Sequence, residues 1–306
     1  MKDLLITHTD MDGISPIILM NLTGKKFEYK SIEIKEVEET LGELLTTDLN
    51  AYENIYIVDL SVPEAIYEKL KDYNNVKVFD HHETHLYANK YPFATVKVEA
   101  FGHLTCGTEL FYNYLKGLYN KLDTPLINDY VQIVRECDTW DWVNRDFASK
   151  VGSLPYVYGK KEFIKSITKR LKKDKDKFEL TAFEKRYTKI QAEELDRYLK
   201  YKEKSMVRYI INNQKVGVVF AENHRSELGN YLSEVYPELD MIILINNCEK
   251  ISYRTVRDDI KCNKFAEIYG GGGHAKASGS PMSDEDRFQI LKYYFKDVKR
   301  LENEEN

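Results

Sequence analysis

The first hundred residues alternate between two periods. Short runs rich in β-formers, at 4–8 (LLITH), 29–34 (YKSIEI), 54–60 (NIYIVDL), 76–80 (VKVFD) and 95–98 (TVKV), are separated by segments of helical spacing at 14–22, 37–45 and 62–70. Runs this apolar bury both faces of the sheet they enter, so the alternation predicts a mostly parallel sheet with helices on both faces. Pro63 suits the first turn of the third helix, where an N–H is not needed. From residue 106 the spacing turns helical, and 147–205 carry little strand signal. A second strand–helix unit begins at 206. Strands are expected in MVRYII, KVGVVFA, MIILIN and KISYRTV, a helix in SELGNYLSEVY with Ser226 as its cap, and a closing helix from Asp284 to about Leu301. The reading is α/β in two lobes: a metal-binding domain over 1–145, a helical connector over 146–205 and a smaller α/β domain over 206–306.

Composition bounds the partners. Lys plus Arg is 45 against 50 Asp plus Glu, a net charge of −5. That excludes a protein that coats long nucleic acid through non-specific phosphate contacts, but admits a short, locally held oligonucleotide. Cys106, Cys137, Cys248 and Cys262 form no C-x-x-C pair and no zinc knuckle. The N-terminal MKDLLITHTD has too few apolar residues for a signal sequence, and no run approaches the ~18 needed for a membrane span. The chain reads as cytoplasmic, with reduced thiols. Between 160 and 177, nine Lys or Arg stand against three acids. This reads as a solvated helix face with a loop; the alternative is a basic wall beside a nucleic-acid cleft.

Polar residues gather at strand ends. His8, Asp10 and Asp12 follow the first strand in HTDMDG, Asp59 ends the third, Asp80, His81 and His82 end the fourth, and Asp138 ends a helix in ECDTWDW. In an open parallel sheet, groups just past the carboxyl ends of the strands converge on one crevice. Singly, each is ordinary, since an Asp after a strand is commonly a helix cap. Together, four or more carboxylates in one crevice repel one another and do not all stay ionised without a cation. Mixed His and Asp ligands suit a borderline divalent ion, Mn²⁺ foremost, with Mg²⁺ or Co²⁺ as alternatives. Six ligands suit a pair of ions sharing one carboxylate.

In order and spacing, HTDMDG, VDLS (58–61), DHH (80–82) and ECDTWDW resemble the four motifs of the DHH phosphoesterase superfamily. SYRTV (252–256) and GGGGHAKASG (270–279) resemble its DHH-associated C-terminal domain, with Ser278 where Ala is common. Within the superfamily the chain is most similar to the bacterial nano-RNases (oligoribonucleases) of the B-type branch, to which DTWDW and CGTELFYNYL (106–115) contribute. The resemblance implies His8 and Asp10 on one metal, Asp12, His81 and Asp138 on a second, and Asp59 between them. Asp80 would orient a ligand, and His82 would face the substrate, holding a phosphate oxygen or protonating the leaving group. Ser252, Arg254, Gly271, Gly272, Gly273 and His274 would bind substrate, with Arg254 on a phosphate.

The C-terminal motif also has its own physical reading. Consecutive glycines let backbone N–H groups approach an anion as a nest, with a flexible turn as the plainer alternative. Arg254 suits a bidentate phosphate contact, whereas Arg257 is expected to pair with Asp258 or Asp259. His85 and His103 read as structural, His224 as a surface residue, and Trp140 and Trp142 as packing around Asp138. The expected reaction is hydrolysis of RNA of about two to five nucleotides to nucleoside 5′-monophosphates, with the smaller lobe as a ruler. Alternatives are a phosphatase for 3′-phosphoadenosine 5′-phosphate, a phosphodiesterase for linear dinucleotides derived from cyclic ones, and an inactive nucleotide sensor. The oligomeric state stays open, with a homodimer among the candidates.

Overall fold

Five strands, β1 (Lys2–Thr7), β2 (Phe27–Ser31), β3 (Tyr52–Val58), β4 (Val76–Asp80) and β5 (Ala94–Val96), form a wholly parallel sheet in the order β2-β1-β3-β4-β5. They are the five runs expected from sequence, with their ends adjusted. The computed structural model describes residues 1–139, 145–246 and 250–295, and the chain divides into two units, Met1–Thr188 and Lys189–Asn306.

Alternate side chains of the strands point to opposite faces. Leu5, Tyr56, Val58 and Phe79 join a core with α1 (Met11–Thr23), α4 (Gly107–Leu118), α5 (Pro125–Thr139), α6 (Arg145–Tyr158) and α7 (Lys160–Arg170). Leu4, Ile6, Ile55, Ile57, Val76 and Val78 join the opposite core with α2 (Val37–Leu44) and α3 (Glu64–Leu70). Both faces are therefore covered. Pro63 stands just before α3 as its N-cap rather than inside its first turn. A hairpin of β6 (Glu99–Ala100) and β7 (His103–Leu104) turns on Phe101 and Gly102, both at positive φ.

Helices α6 and α7 pack on α5 and α1 within the first unit. The division between units falls inside α8 (Ala182–Ser205). Much of the basic stretch at 160–177 is paired: Lys165 with Glu162, Arg170 with Glu184, Lys175 with Glu179 and Lys177 with Asp129.

The second unit holds a mixed sheet of β8 (Val207–Ile211), β9 (Gln214–Phe220), β10 (Met241–Ile245), β11 (Lys250–Arg254), β12 (Gly272–Gly273) and β13 (Ala277–Pro281), ordered β12-β13-β11-β10-β9-β8. Only β9 and β10 run parallel. Helix α9 (Arg225–Val235) covers one face and α10 (Cys262–Glu267) the other; α11 (Asp284–Tyr294) follows, capped by Ser283 and Asp286. Ser226 does not cap α9. The helix starts two residues earlier, with His224 in the left-handed region at the cap position, and the Ser226 hydroxyl instead accepts from Arg254 Nη2 at 3.3 Å. Cys106, Cys137 and Cys262 are free thiols; Cys248, Trp140 and Trp142 lie outside the described residues. Among the described residues, no helix is long and apolar enough to cross a membrane.

Candidate active site

The sheet reverses its strand order between β1 and β3, with β2 on one side of β1 and the later strands on the other. Such a switch point opens a crevice beyond the carboxyl ends of the two strands. His8 leaves β1 into that crevice. Asp10 is the N-cap of α1: Oδ1 accepts from Gly13 N–H at 2.9 Å, while Oδ2 lies 2.9 Å from His8 Nδ1. Helix cap and candidate ligand are thus one residue, using two different oxygens.

Asp12, in the first turn of α1, is held by a second helix. Its Oδ2 accepts from Gly107 N–H at 2.7 Å and its Oδ1 from Thr108 N–H at 2.8 Å, both in the first turn of α4. The free N–H groups of a helix start favour a carboxylate. Pro16 has no N–H to give the Asp12 carbonyl four residues back, and the Thr108 hydroxyl donates to that carbonyl at 2.5 Å instead. Gly107 is a close approach: a Cβ there would stand 2.8 Å from Asp59 Cβ and 3.0 Å from Asp12 Oδ2.

Asp59 follows β3 at φ +56°, a left-handed conformation that non-glycine residues rarely adopt and that concentrates at functional sites. It is 4% exposed, and Oδ2 has no hydrogen-bond partner. His8 Nδ1 lies 3.7 Å from Oδ2, and His81 Nε2 lies 3.5 Å from Oδ1. His81 Nε2 is also 3.4 Å from Asp138 Oδ2, at the end of α5, and 4.0 Å from Asp12 Oδ2. The six residues expected as ligands therefore meet. They form two groups, His8–Asp10–Asp59 and Asp12–His81–Asp138, each with its ligand atoms within 4.8 Å of one another.

The electrostatics are those of crowded acids. Burial, then the charges of Asp12, Asp10, Asp138 and Asp80, push the Asp59 carboxyl well above the ordinary range. Burial, then Asp12 and Asp10, push Asp138 up to about 8. Burial also opposes ionisation of Asp10, but its bonds from His8 and the Gly13 N–H outweigh that and leave it lowered. The hydrogen bond to Asp10 raises His8. A buried carboxylate oxygen without a partner, among mutually repelling acids and two imidazoles, fits a divalent cation by charge and by donor type.

Asp80 is fully buried and plays a different part. Its Oδ1 accepts from His81 N–H at 2.8 Å and from His82 Nδ1 at 2.7 Å, which fixes the turn and the His82 ring. That bond raises the His82 pKa. His85 Nδ1 stands 3.9 Å behind the other Asp80 oxygen. His103 pairs with Glu109 at 3.0 Å.

A cavity of about 500 Å³ opens beside the His8–Asp10–Asp12–Asp138 side of the cluster. One wall is Glu33, which the sequence reading missed: its Oε2 is 3.9 Å from His8 Nε2, and its Oε1 accepts from the Thr9 hydroxyl at 2.6 Å. Glu33 lies just past the end of β2 at Ser31, whereas the sequence reading runs that strand to 34 and so keeps Glu33 inside it.

In the second unit, Arg254 ends β11 half-buried. Its Nη1 donates to the carbonyls of Tyr253 at 3.0 Å and Ser278 at 3.4 Å, and burial lowers its pKa. Ser252, two residues earlier, is 4% exposed and shares that face of the sheet by strand alternation. Arg257 pairs with Asp259 and also with Asp240. The glycine run is not a loose turn. Gly271 N–H donates to Ala266, His274 N–H donates to Ala277, and Gly272 and Gly273 form the edge strand β12 against β13. The exposed His274 begins the tight connection to β13.

The same fold recurs in a DHH domain from the S1p family of ribosomal proteins, with a TM-score of 0.58 and 15% identity over 96% of this chain and 85% of that one. It recurs in PggH, a Vibrio pGpG-specific phosphodiesterase, at 0.57 and 14% over 96% and 97%, and in exonuclease RecJ bound to manganese, at 0.54 and 14% over 97% and 91%. At 14–15% identity these likenesses establish the fold alone, that of DHH-domain proteins. No family model matches the chain. Its sequence is 34% identical over 292 residues, 92% of its length and 73% of the relative's, to oligoribonuclease NrnB of Bacillus subtilis (strain 168). The chain belongs to that oligoribonuclease family of DHH phosphoesterases.

Proposed function

We propose that the chain hydrolyses phosphodiester bonds in RNA of about two to five nucleotides, releasing nucleoside 5′-monophosphates, with two divalent ions, Mn²⁺ foremost. The observation that carries this reading is that Asp59, a member of one three-ligand group, stands 3.5 Å from His81 of the other, in a chain whose 34%-identical relative is named an oligoribonuclease. His8 and Asp10 would hold one ion and Asp12, His81 and Asp138 the other, with Asp59 available to both. Ions bound there supply Lewis-acid stabilisation of phosphoryl charge and a nucleophile from water at neutral pH.

The chain's own residues do the rest. The Gly107 and Thr108 N–H groups keep Asp12 in place. Asp80 takes one ring nitrogen of His82 and leaves the other for the substrate, and that bond raises the His82 pKa, the direction that favours a proton donor to the leaving oxygen. We assign catalysis to 1–145, with the helices of 146–205 following, and substrate holding to 206–306. There Arg254, with Ser252, Gly271, Gly272, Gly273 and His274, takes a phosphate that does not react.

A turnover panel with Mn²⁺ tests this, using 5′-phosphorylated RNAs of graded length, 3′-phosphoadenosine 5′-phosphate and pyrophosphate. The shortest RNAs should turn over fastest. Efficient hydrolysis of pyrophosphate or 3′-phosphoadenosine 5′-phosphate alone would replace this reading.

A further inference from the structure

The cavity beside the ligand cluster has a second wall that the phosphodiester chemistry does not use. Tyr156, on α6, is 88% exposed, and its ring meets no other aromatic or cationic group among the described residues. A single exposed aromatic is ordinary on a surface. This one lines the same cavity as His8, Asp10, Asp12 and Asp138. Its neighbours there are Met11, Val134, Cys137 and Pro155, an apolar floor, with Thr9, Glu33 and Lys160 as a polar rim.

The wall is built by a close approach. A Cβ on Gly152 would stand 2.4 Å from Cys137 Sγ, so a side chain there would displace the Cys137 thiol where α6 seats against α5, one residue before Asp138. Pro155 and Tyr156 lie three and four residues on, along the same helical face. The volume, about 500 Å³, is that of a small-ligand site and holds a nucleoside.

We infer that this cavity is a nucleobase subsite: the base of the nucleotide whose phosphate reacts stacks on Tyr156 over the apolar floor. The inference rests on reading the cluster as the site of phosphodiester hydrolysis. His8, Asp10, Asp12 and Asp138 line the same cavity as Tyr156, so a nucleotide whose phosphate meets ions held by them has this cavity for its ribose and base. Stacking is tolerant of base identity, because every base presents a π-face.

Calorimetric titration of the full chain in Mn²⁺ buffer with the four nucleoside 5′-monophosphates and with ribose 5-phosphate tests it. The nucleotides should bind at least about tenfold more tightly than ribose 5-phosphate. Tyr156→Ala should reduce them to the ribose 5-phosphate level without changing ribose 5-phosphate itself, and Tyr156→Trp should retain them. Nucleotide binding unchanged in Tyr156→Ala, or lost in parallel with ribose 5-phosphate, overturns the subsite. Dinucleotide turnover by the wild type is measured alongside. Turnover with no nucleotide preference over ribose 5-phosphate sinks the subsite alone, whereas a Tyr156-dependent preference without turnover sinks the hydrolytic reading and keeps the subsite.

Discussion

Asp59 and Asp12 are both buried carboxylates, but they are held in different ways, and their substitutions should separate. Asp59 Oδ2 has no hydrogen bond, and three other carboxylates of the cluster crowd it together with Asp80. Asp59→Asn should therefore keep or raise the melting temperature of the metal-free protein while abolishing Mn²⁺ binding at both ligand groups. Asp12 accepts two backbone N–H groups, so Asp12→Asn should lower that temperature, with a loss of about 1–3 kcal/mol. On turnover, Asp59→Ala should be the more severe change; equal and mild losses would count against the shared ligand. The proton balance gives a second test. Asp59 and Asp138 are raised, as are His8 and His82. All four hold more protons folded than unfolded, the acids from about pH 4 upward and the histidines above 6.5. The metal-free protein should lose stability as pH rises from about 5 to 8, by at most about 1.4 kcal/mol per pH unit for each group, and saturating Mn²⁺ should remove the trend. Melting that stays flat without metal would show that the acids are not crowded. The convergence of the six candidate ligands is legible in sequence because strand ends meet by topology. Gly107 and Thr108 are not legible as partners of Asp12, since 95 residues separate them and only the docking of α4 brings them together.

At the scale of elements, that docking is itself testable. Gly107→Ala places a Cβ 2.8 Å from Asp59 Cβ, so α4 must withdraw and both N–H donors leave Asp12. Losing such support to a metal ligand typically reduces metal affinity 10–100-fold, and Mn²⁺ titration should show a drop in that range with helical content unchanged. Retained affinity would mean that Asp12 does not depend on α4. The sheet itself is readable because all five runs keep their period and both faces are apolar. The helices between 145 and 170 are harder to place. Their spacing declares amphipathic helices, but Phe163, Ile164 and Ile167 enter the core of the first unit through contacts with α1 that no local pattern announces. Ser226 illustrates the same limit: serine before a helical run is a sound cap signal, yet here its hydroxyl serves Arg254.

For the whole molecule, charge and the proposed division of labour between the two units set the expectations. With a net charge of −5, affinity comes from local contacts, and turnover per enzyme should fall from dinucleotides and pentanucleotides to a 20-mer. Each neutralised phosphate contributes a salt slope of about −0.7 for single strands, so a ligand held at two or three phosphates should show a shallow dependence. Undiminished digestion of long RNA would refute the ruler. Gripping and chemistry should also come apart by residue. Arg254 and His274 belong to the second unit, and the phosphate assigned to them does not react, so their contacts are alike before and at the transition state. Losing such uniform binding raises KM and leaves kcat little changed. His82 is fixed by Asp80 beside the candidate ligand His81; in the proposed reaction charge develops there on the leaving oxygen, and His82→Ala should lower kcat by about 10²-fold or more. If remote binding also drives a conformational step, Arg254→Ala lowers kcat as well. A dinucleotide without its 5′-phosphate resolves the two. When Arg254 grips that phosphate, wild type and Arg254→Ala handle the unphosphorylated substrate alike, whereas His82→Ala stays impaired on both; an Arg254→Ala enzyme equally impaired on both substrates would remove Arg254 from phosphate recognition.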